Sequence, residues 1–74
     1  MISMKEISGI GESIKNCRLD KELTQPQLGK LVGVSGSAIS FWENDINIPN
    51  VKACWLMADA LGITIDELVG RDDL

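Results

Sequence analysis

Apolar residues recur at every third or fourth position along most of the chain, which is the period of an α-helix. The pattern predicts helices over residues 9–21, 25–32, 35–44 and 51–61, and a short fifth helix that runs through Val69. The apolar positions are Ile10, Ile14 and Cys17 in the first helix, Leu28, Leu31 and Val32 in the second, Ala38, Ile39 and Trp42 in the third, and Val51, Cys54, Leu56, Met57, Ala58 and Leu61 in the fourth. We place Trp42 on the core side of its helix, because such stripes usually face a core.

Residues typical of helix ends separate these segments. Two pairs have the spacing of a capping box, in which a Thr and a Gln or Glu three positions later satisfy each other's backbone N–H groups; they are Thr24 with Gln27 and Thr64 with Glu67. Ser35 and Asn50 can cap the starts of the third and fourth helices. Gly33, the pair Asn44-Asp45 and Gly62 can end the second, third and fourth helices, since these residue types tolerate the left-handed conformation.

Five short helices with tight connections predict an all-α fold, a compact five-helix bundle. The helices over 25–32 and 35–44 are joined by about three residues that include Gly33. This is the spacing of a helix-turn-helix, in which the second helix crosses the first and can enter the DNA major groove. We predict one domain over residues 10–70, an N-terminal extension over 1–9 and a polar tail over 71–74.

Charge and cysteine content limit the functional classes. The net charge is −4, whereas a DNA-binding surface is typically positive. Residues 1–44 carry no net charge, however, and the excess of acidic residues lies in residues 45–74. Cys17 and Cys54 have no CxxC spacing, and the chain has no His. We therefore expect buried thiols in a reducing, cytoplasmic compartment, without a disulfide, a metal or another cofactor. No His is available to activate a serine, so we expect no enzymatic activity.

Several segments occur in an order and spacing that carry a family resemblance: IGESIKNCR, LTQPQLGKLVGVS, SAISFWEN, Pro49 and ADALGITIDELVG. Over residues 10–70 the chain resembles the lambda-repressor-like (Cro-type, XRE) helix-turn-helix family, and it looks most like the N-terminal domains of temperate-phage and prophage repressors. The resemblance implies a transcriptional repressor that binds a palindromic DNA operator as a homodimer, with the third helix in the major groove. It does not distinguish repression from activation.

The resemblance also implies roles for individual residues. Gln25 matches a position that holds a DNA phosphate, and Asn44 matches a phosphate contact after the third helix. The positions that meet base edges are Ser35, Gly36, Ser37, Ser40 and Phe41. Arg18 and Glu43 match a structural ion pair between the first helix and the end of the third.

The predicted recognition helix departs from the family pattern. Phe41 and Gly36 stand where the family usually has long polar residues, and the loop after Asn44 lacks basic residues. Base contacts would then come from serine hydroxyls and from Phe41 against thymine methyl groups, although Phe41 could instead pack on a neighbour. We therefore expect modest affinity, dependence on dimerisation and a shallow dependence on salt.

Two questions remain open: the role of Trp55, and whether the domain binds DNA or another protein. Trp55 is either buried under the fifth helix or forms a dimer contact with Leu56 and with Ile65 or Val69. The whole domain could be a protein-interaction module, such as an antitoxin or adaptor, since the chain is acidic and rich in apolar residues. Lysines that flank the face of Gln25, Ser37 and Phe41 would favour DNA binding; the candidates are Lys15, Lys21 and Lys30.

Overall fold

A computed structural model describes the backbone of residues 4–70 and the side chains of residues 9–70, and every regular element in this part of the chain is an α-helix. The helices are α1 (Met4–Asp20), α2 (Gln25–Val32), α3 (Gly36–Glu43), α4 (Val51–Leu61) and α5 (Ile65–Val69). The predicted all-α, five-helix fold is confirmed, and the bounds of α2 and α4 agree with the prediction. None of the described helices is long and apolar enough to cross a membrane.

The start of the first helix was predicted wrongly. The helix begins at Met4 rather than at residue 9, so the predicted extension over 1–9 contains its first turns. Ile7, Ile10 and Ile14 continue the helical spacing through Gly9, and one internal glycine costs a long helix only about 1 kcal/mol. Residues 1–3 and the predicted tail over 71–74 lie outside the described residues.

The predicted caps form as the local sequence indicates. In the first capping box the Thr24 N–H donates to Gln27 Oε1 at 2.8 Å, and the Gln27 N–H donates to Thr24 Oγ1 at 3.2 Å. Thr64 and Glu67 form the second box, and the hydrogen bonds from Thr64 to the Glu67 carboxylate lower the pKa of that group. Gly33 and Gly62 end α2 and α4 in the left-handed conformation.

One apolar core lies among the five helices. Its buried members are Ile14, Leu28, Val32, Ile39, Cys54, Met57, Leu61 and Leu68, and Trp42 packs against them partly buried, on the core side as predicted. Burial raises the pKa of the Cys54 thiol, whereas Cys17 is only half-buried and is less enclosed than predicted. Leu31 and Val51 share the apolar period but lie more than half exposed, outside the core.

The exposure of Trp55 excludes one of the two alternatives for that residue. Trp55 is 60% exposed, so the alternative of burial beneath α5 is wrong, and the dimer contact stays a prediction. Leu56 is 38% exposed beside it on α4. Ile65 packs against the core cluster and Val69 is half-buried, so these two residues of α5 offer less free surface than α4.

Candidate nucleic-acid interface

A close contact between backbones sets the angle between α2 and α3. The Val34 N–H donates to the Gly29 carbonyl at 2.8 Å, which closes the turn between the helices. A Cβ added at Gly29 would lie 2.5 Å from the Val34 carbonyl oxygen, so a residue with a side chain does not fit there without a shift of the turn. At the other end of the pair, a Cβ at Gly36 would lie 3.1 Å from Pro26 Cγ.

The α3 helix buries one face and exposes the other. Ile39 and Glu43 are buried on the inner face, while Ser37 and Phe41 are exposed one helical turn apart on the outer face. Phe41 is 44% exposed and is not part of the core cluster. A shallow cleft between α2 and α3 brings together four of the predicted site residues with Pro26: Gln25, Gly36, Ser37 and Ser40.

A buried hydrogen-bond network fixes the end of α3 to the first two helices. Arg18 and Glu43, each 7% exposed, form the ion pair that the resemblance implies, with Nε 2.6 Å from Oε2 and Nη2 3.0 Å from Oε1. Arg18 Nη1 also donates to the Leu23 carbonyl at 2.7 Å. The network therefore joins α1, the turn that follows it and the last residue of α3.

Gln25 takes part in this network, which sequence reasoning missed. Its Nε2 donates to Glu43 Oε1 at 3.0 Å, so Glu43 orients the side chain at the start of α2. The amide keeps one N–H and its carbonyl oxygen for another partner. A phosphate contact by Gln25 is compatible with this geometry.

Ser35 and Asn44 have local structural roles at the two ends of α3. Ser35 Oγ accepts the Ala38 N–H at 3.1 Å as the N-cap. Asn44 Nδ2 donates to the Ser40 carbonyl at 2.8 Å and to Ser40 Oγ at 3.4 Å, and its backbone N–H also bonds the Ser40 carbonyl. With every donor of Asn44 engaged, the predicted phosphate contact at this residue requires the side chain to rotate.

The positions of the lysines bear on the choice between DNA binding and a protein-interaction module. Lys21, directly after α1, is near enough to Glu67 of α5 for its charge to contribute, after the hydrogen bonds from Thr64, to the lowered pKa of that carboxyl. Lys52, which sequence reasoning did not single out, lines a groove with Gly33 and Val34 at the turn between α2 and α3. Lys15 and Lys30 are exposed. Among the described residues, no cluster of acidic residues and cysteines has the arrangement of a metal site.

The sequence is similar to several curated regulators. The HTH-type transcriptional activator BcrR of Enterococcus faecalis is 36% identical over 63 residues, which cover 85% of this chain and 31% of BcrR. The immunity repressor protein of Bacillus phage phi105 is 34% identical, over 88% of this chain and 45% of the repressor. Repressor protein C2 of Salmonella phage P22 is 38% identical, over 85% and 29% respectively. The chain spans less than half the length of each of these relatives.

The fold is also similar to a solved structure, the P22 c2 repressor protein in complex with synthetic operator 9T in the presence of Tl+. The TM-score is 0.78 at 38% sequence identity, and the match covers 85% of this chain and 96% of that one. Residues 14–68 match the family described as Helix-turn-helix (HTH_3), and this range contains both α2 and α3. The chain belongs to the helix-turn-helix family HTH_3.

Proposed function

We propose that the protein is a transcriptional repressor that binds a palindromic DNA operator as a homodimer in the cytoplasm of a bacterial cell. The observation that carries this proposal is the exposed outer face of α3. An α-helix fits the major groove of B-DNA. The outer face of α3 presents Ser37 and Ser40, while its inner face packs on the core and is bonded to Arg18 of α1 through Glu43. The similarity to a repressor solved in complex with an operator supports DNA binding.

The predicted base contacts are few. Ser37 is the most exposed hydroxyl of the outer face, and Phe41 offers an aromatic surface to thymine methyl groups one turn further along. Among the described residues of α3 there is no Arg, Lys, Asn or Gln to form a bidentate base contact. We therefore propose that affinity depends on two copies that bind together, because each copy alone makes a small interface.

The exposed apolar side of α4 supports the dimer. Val51 and Trp55 are four residues apart, so they lie on the same side of the helix, and both are at least 60% exposed. We propose that Trp55 and Leu56 are the centre of an isologous contact, with Val51 at its edge. Homodimer interfaces are enriched in apolar and aromatic side chains, and in such a contact each copy presents the same surface.

Selection from random duplex DNA with the purified chain tests the operator. We expect an enriched inverted repeat whose half-sites are about one helical turn apart, at both low and physiological salt. Ser37→Ala and Phe41→Ala should change the preferred bases without changing the half-site spacing. A folded protein that enriches no sequence would overturn the proposal, and the exposed side of α4 would then favour the protein-interaction module.

Trp55→Lys tests the dimer. A central aromatic residue of an interface typically contributes at least about 2 kcal/mol, so we expect dimerisation to weaken about 30-fold with an unchanged helical circular dichroism spectrum. Sedimentation equilibrium measures the dissociation constant. Leu19→Lys is the matched control, because Leu19 is also about half exposed but lies on α1. Equal dissociation constants for Trp55→Lys and the wild type would remove Trp55 from the interface.

A further inference from the structure

The exposed side of α4 carries two opposite charges, one on each side of its apolar centre. The exposed residues of this helix are Val51, Lys52, Trp55, Leu56, Asp59 and Ala60. Lys52, Leu56 and Asp59 are spaced by four and three positions, so they lie along one side of the helix, and Lys52 borders the same groove as Leu56. Lys52 stands three positions before Trp55 and Asp59 three positions after Leu56. The two charges are therefore placed symmetrically about the apolar pair.

The fold of one chain does not account for these two charges. Within the part of the chain that the structure describes, neither Lys52 nor Asp59 forms an ion pair, and they lie about 10 Å apart along the helix axis. Their order also opposes the helix dipole, which favours acids in the first turn and bases in the last turn. Lys52 is in the first turn of α4 and Asp59 is in the last. A partner that brings an acid to Lys52 and a base to Asp59 would stabilise both.

A second copy of the chain is such a partner. A twofold axis that passes between Trp55 and Leu56, perpendicular to α4, makes the two α4 helices antiparallel and gives each copy the same surface. Position 52 of each copy then faces position 59 of the other, and each Trp55 faces the other copy's Leu56. We infer that two copies associate through antiparallel α4 helices, held in register by two symmetric Lys52–Asp59 ion pairs. The inference rests on the dimer of the proposed function and gives the direction and register of its contact.

The same charges disfavour a parallel arrangement of the two helices. About a twofold axis parallel to α4, Lys52 would face Lys52 and Asp59 would face Asp59, and like charges that face each other across an interface are repulsive. The antiparallel arrangement also places the N-terminal end of each helix beside the C-terminal end of the other, where the helix dipoles attract. The charges thus select one direction by both attraction and repulsion.

Reversal of the charges, one at a time and together, tests the pairing. Lys52→Asp and Asp59→Lys each place like charges opposite one another at both ends of the contact. We expect each to weaken dimerisation about tenfold, because two attractive pairs become two repulsive ones. The double variant restores both pairs with their signs exchanged, so its dissociation constant should lie within about threefold of the wild type. An equimolar mixture of the two single variants should form a heterodimer of similar strength. Sedimentation equilibrium without DNA measures all four.

Three controls separate the ion pairs from effects on folding and on overall charge. Both single variants improve the match to the helix dipole, so their circular dichroism spectra should show no loss of helix. Lys30→Asp and Asp20→Lys change the net charge equally at exposed positions of α2 and α1, and they should leave dimerisation within about twofold. Added salt should weaken the wild-type dimer and strengthen the dimers of the single variants, because it screens attraction in one and repulsion in the others.

The outcomes distinguish this inference from the proposed function. Single variants that dimerise as well as the charge-matched controls would overturn the antiparallel pairing, and so would a mixture that does not recover. If Trp55→Lys still weakened dimerisation in that case, the contact through Trp55 would stand. A wild-type chain that stays monomeric would overturn both the pairing and the proposed dimer, whereas selection from random duplex DNA tests DNA binding separately.

Discussion

Glu43→Ala is expected to lower the free energy of unfolding by about 3–5 kcal/mol, because it leaves the Arg18 guanidinium buried without its carboxylate. Arg18 is 7% exposed and would keep only its bond to the Leu23 carbonyl. Small domains typically have an unfolding free energy of about 5–15 kcal/mol, and one of this size is expected near the lower end. The variant should therefore be largely destabilised, with a melting temperature lower by roughly 15–30 °C. Urea unfolding followed by tryptophan fluorescence measures the change.

Removal of both charges is the decisive control for Glu43. In the double variant Arg18→Met, Glu43→Leu no buried charge is left unpaired, and replacement of a buried ion pair by apolar residues is often neutral or stabilising. We expect it to recover most of the lost stability. Glu12→Ala, at an exposed position of α1, should change stability by less than about 0.5 kcal/mol. A loss below 1 kcal/mol for Glu43→Ala would show that the network contributes little to the fold.

The same network shows why some contacts can be inferred from sequence and others cannot. The pair Arg18 and Glu43 was implied by the family resemblance, since both residues stand at matching positions. The hydrogen bond from Gln25 to Glu43 was not predicted, because it depends on the angle at which α2 begins relative to the end of α3. The bond from Asn44 to Ser40 is local, four positions along the chain, and was missed because the resemblance indicated only a phosphate contact there.

Local signals predicted the helix boundaries well. The capping boxes at Thr24 and Thr64 and the left-handed stop at Gly33 involve residues within four positions of one another. Such features form wherever the helix does, so the sequence is sufficient to identify them. The start of α1 is the exception. Gly9 resembles a break, and the capping-box spacing of Ser3 and Glu6, which stands directly before the first helical residue in the sequence, was overlooked.

Periodicity predicted the apolar stripes but not which edge of each stripe is covered. Leu31, Val51 and Trp55 follow the helical period and are nevertheless exposed. A helix with apolar residues on more than one side has two possible orientations that bury similar area, and only the packing of its neighbours selects one of them. For α4 the neighbours cover Cys54 and Met57 and leave Trp55 to solvent.

Gly11→Ala is expected to destabilise the fold by about 2–3 kcal/mol, although alanine is the better helix former. Gly11 is buried in α1, and its N–H donates to Asp45 Oδ1 at 3.0 Å. A Cβ added there would press against the Glu43 carbonyl oxygen and lie 2.7 Å from that of Trp42. Overpacking against well-packed neighbours typically costs about 1–3 kcal/mol, and here the neighbouring atoms belong to the backbone of α3, which cannot turn away as a side chain can.

Gly9→Ala, two positions earlier in the same helix, is the matched control. Nothing lies within 4 Å of a Cβ at Gly9, so only the gain in helix propensity remains, about 0.5–1 kcal/mol of added stability. Thermal melts of the two variants should therefore shift in opposite directions, with Gly11→Ala lower by roughly 10–20 °C. Since the clash falls on the last residues of α3, Gly11→Ala should also change the fluorescence of Trp42, which a Trp55→Phe background isolates. Equal shifts for the two variants would show that α1 does not approach the end of α3 this closely.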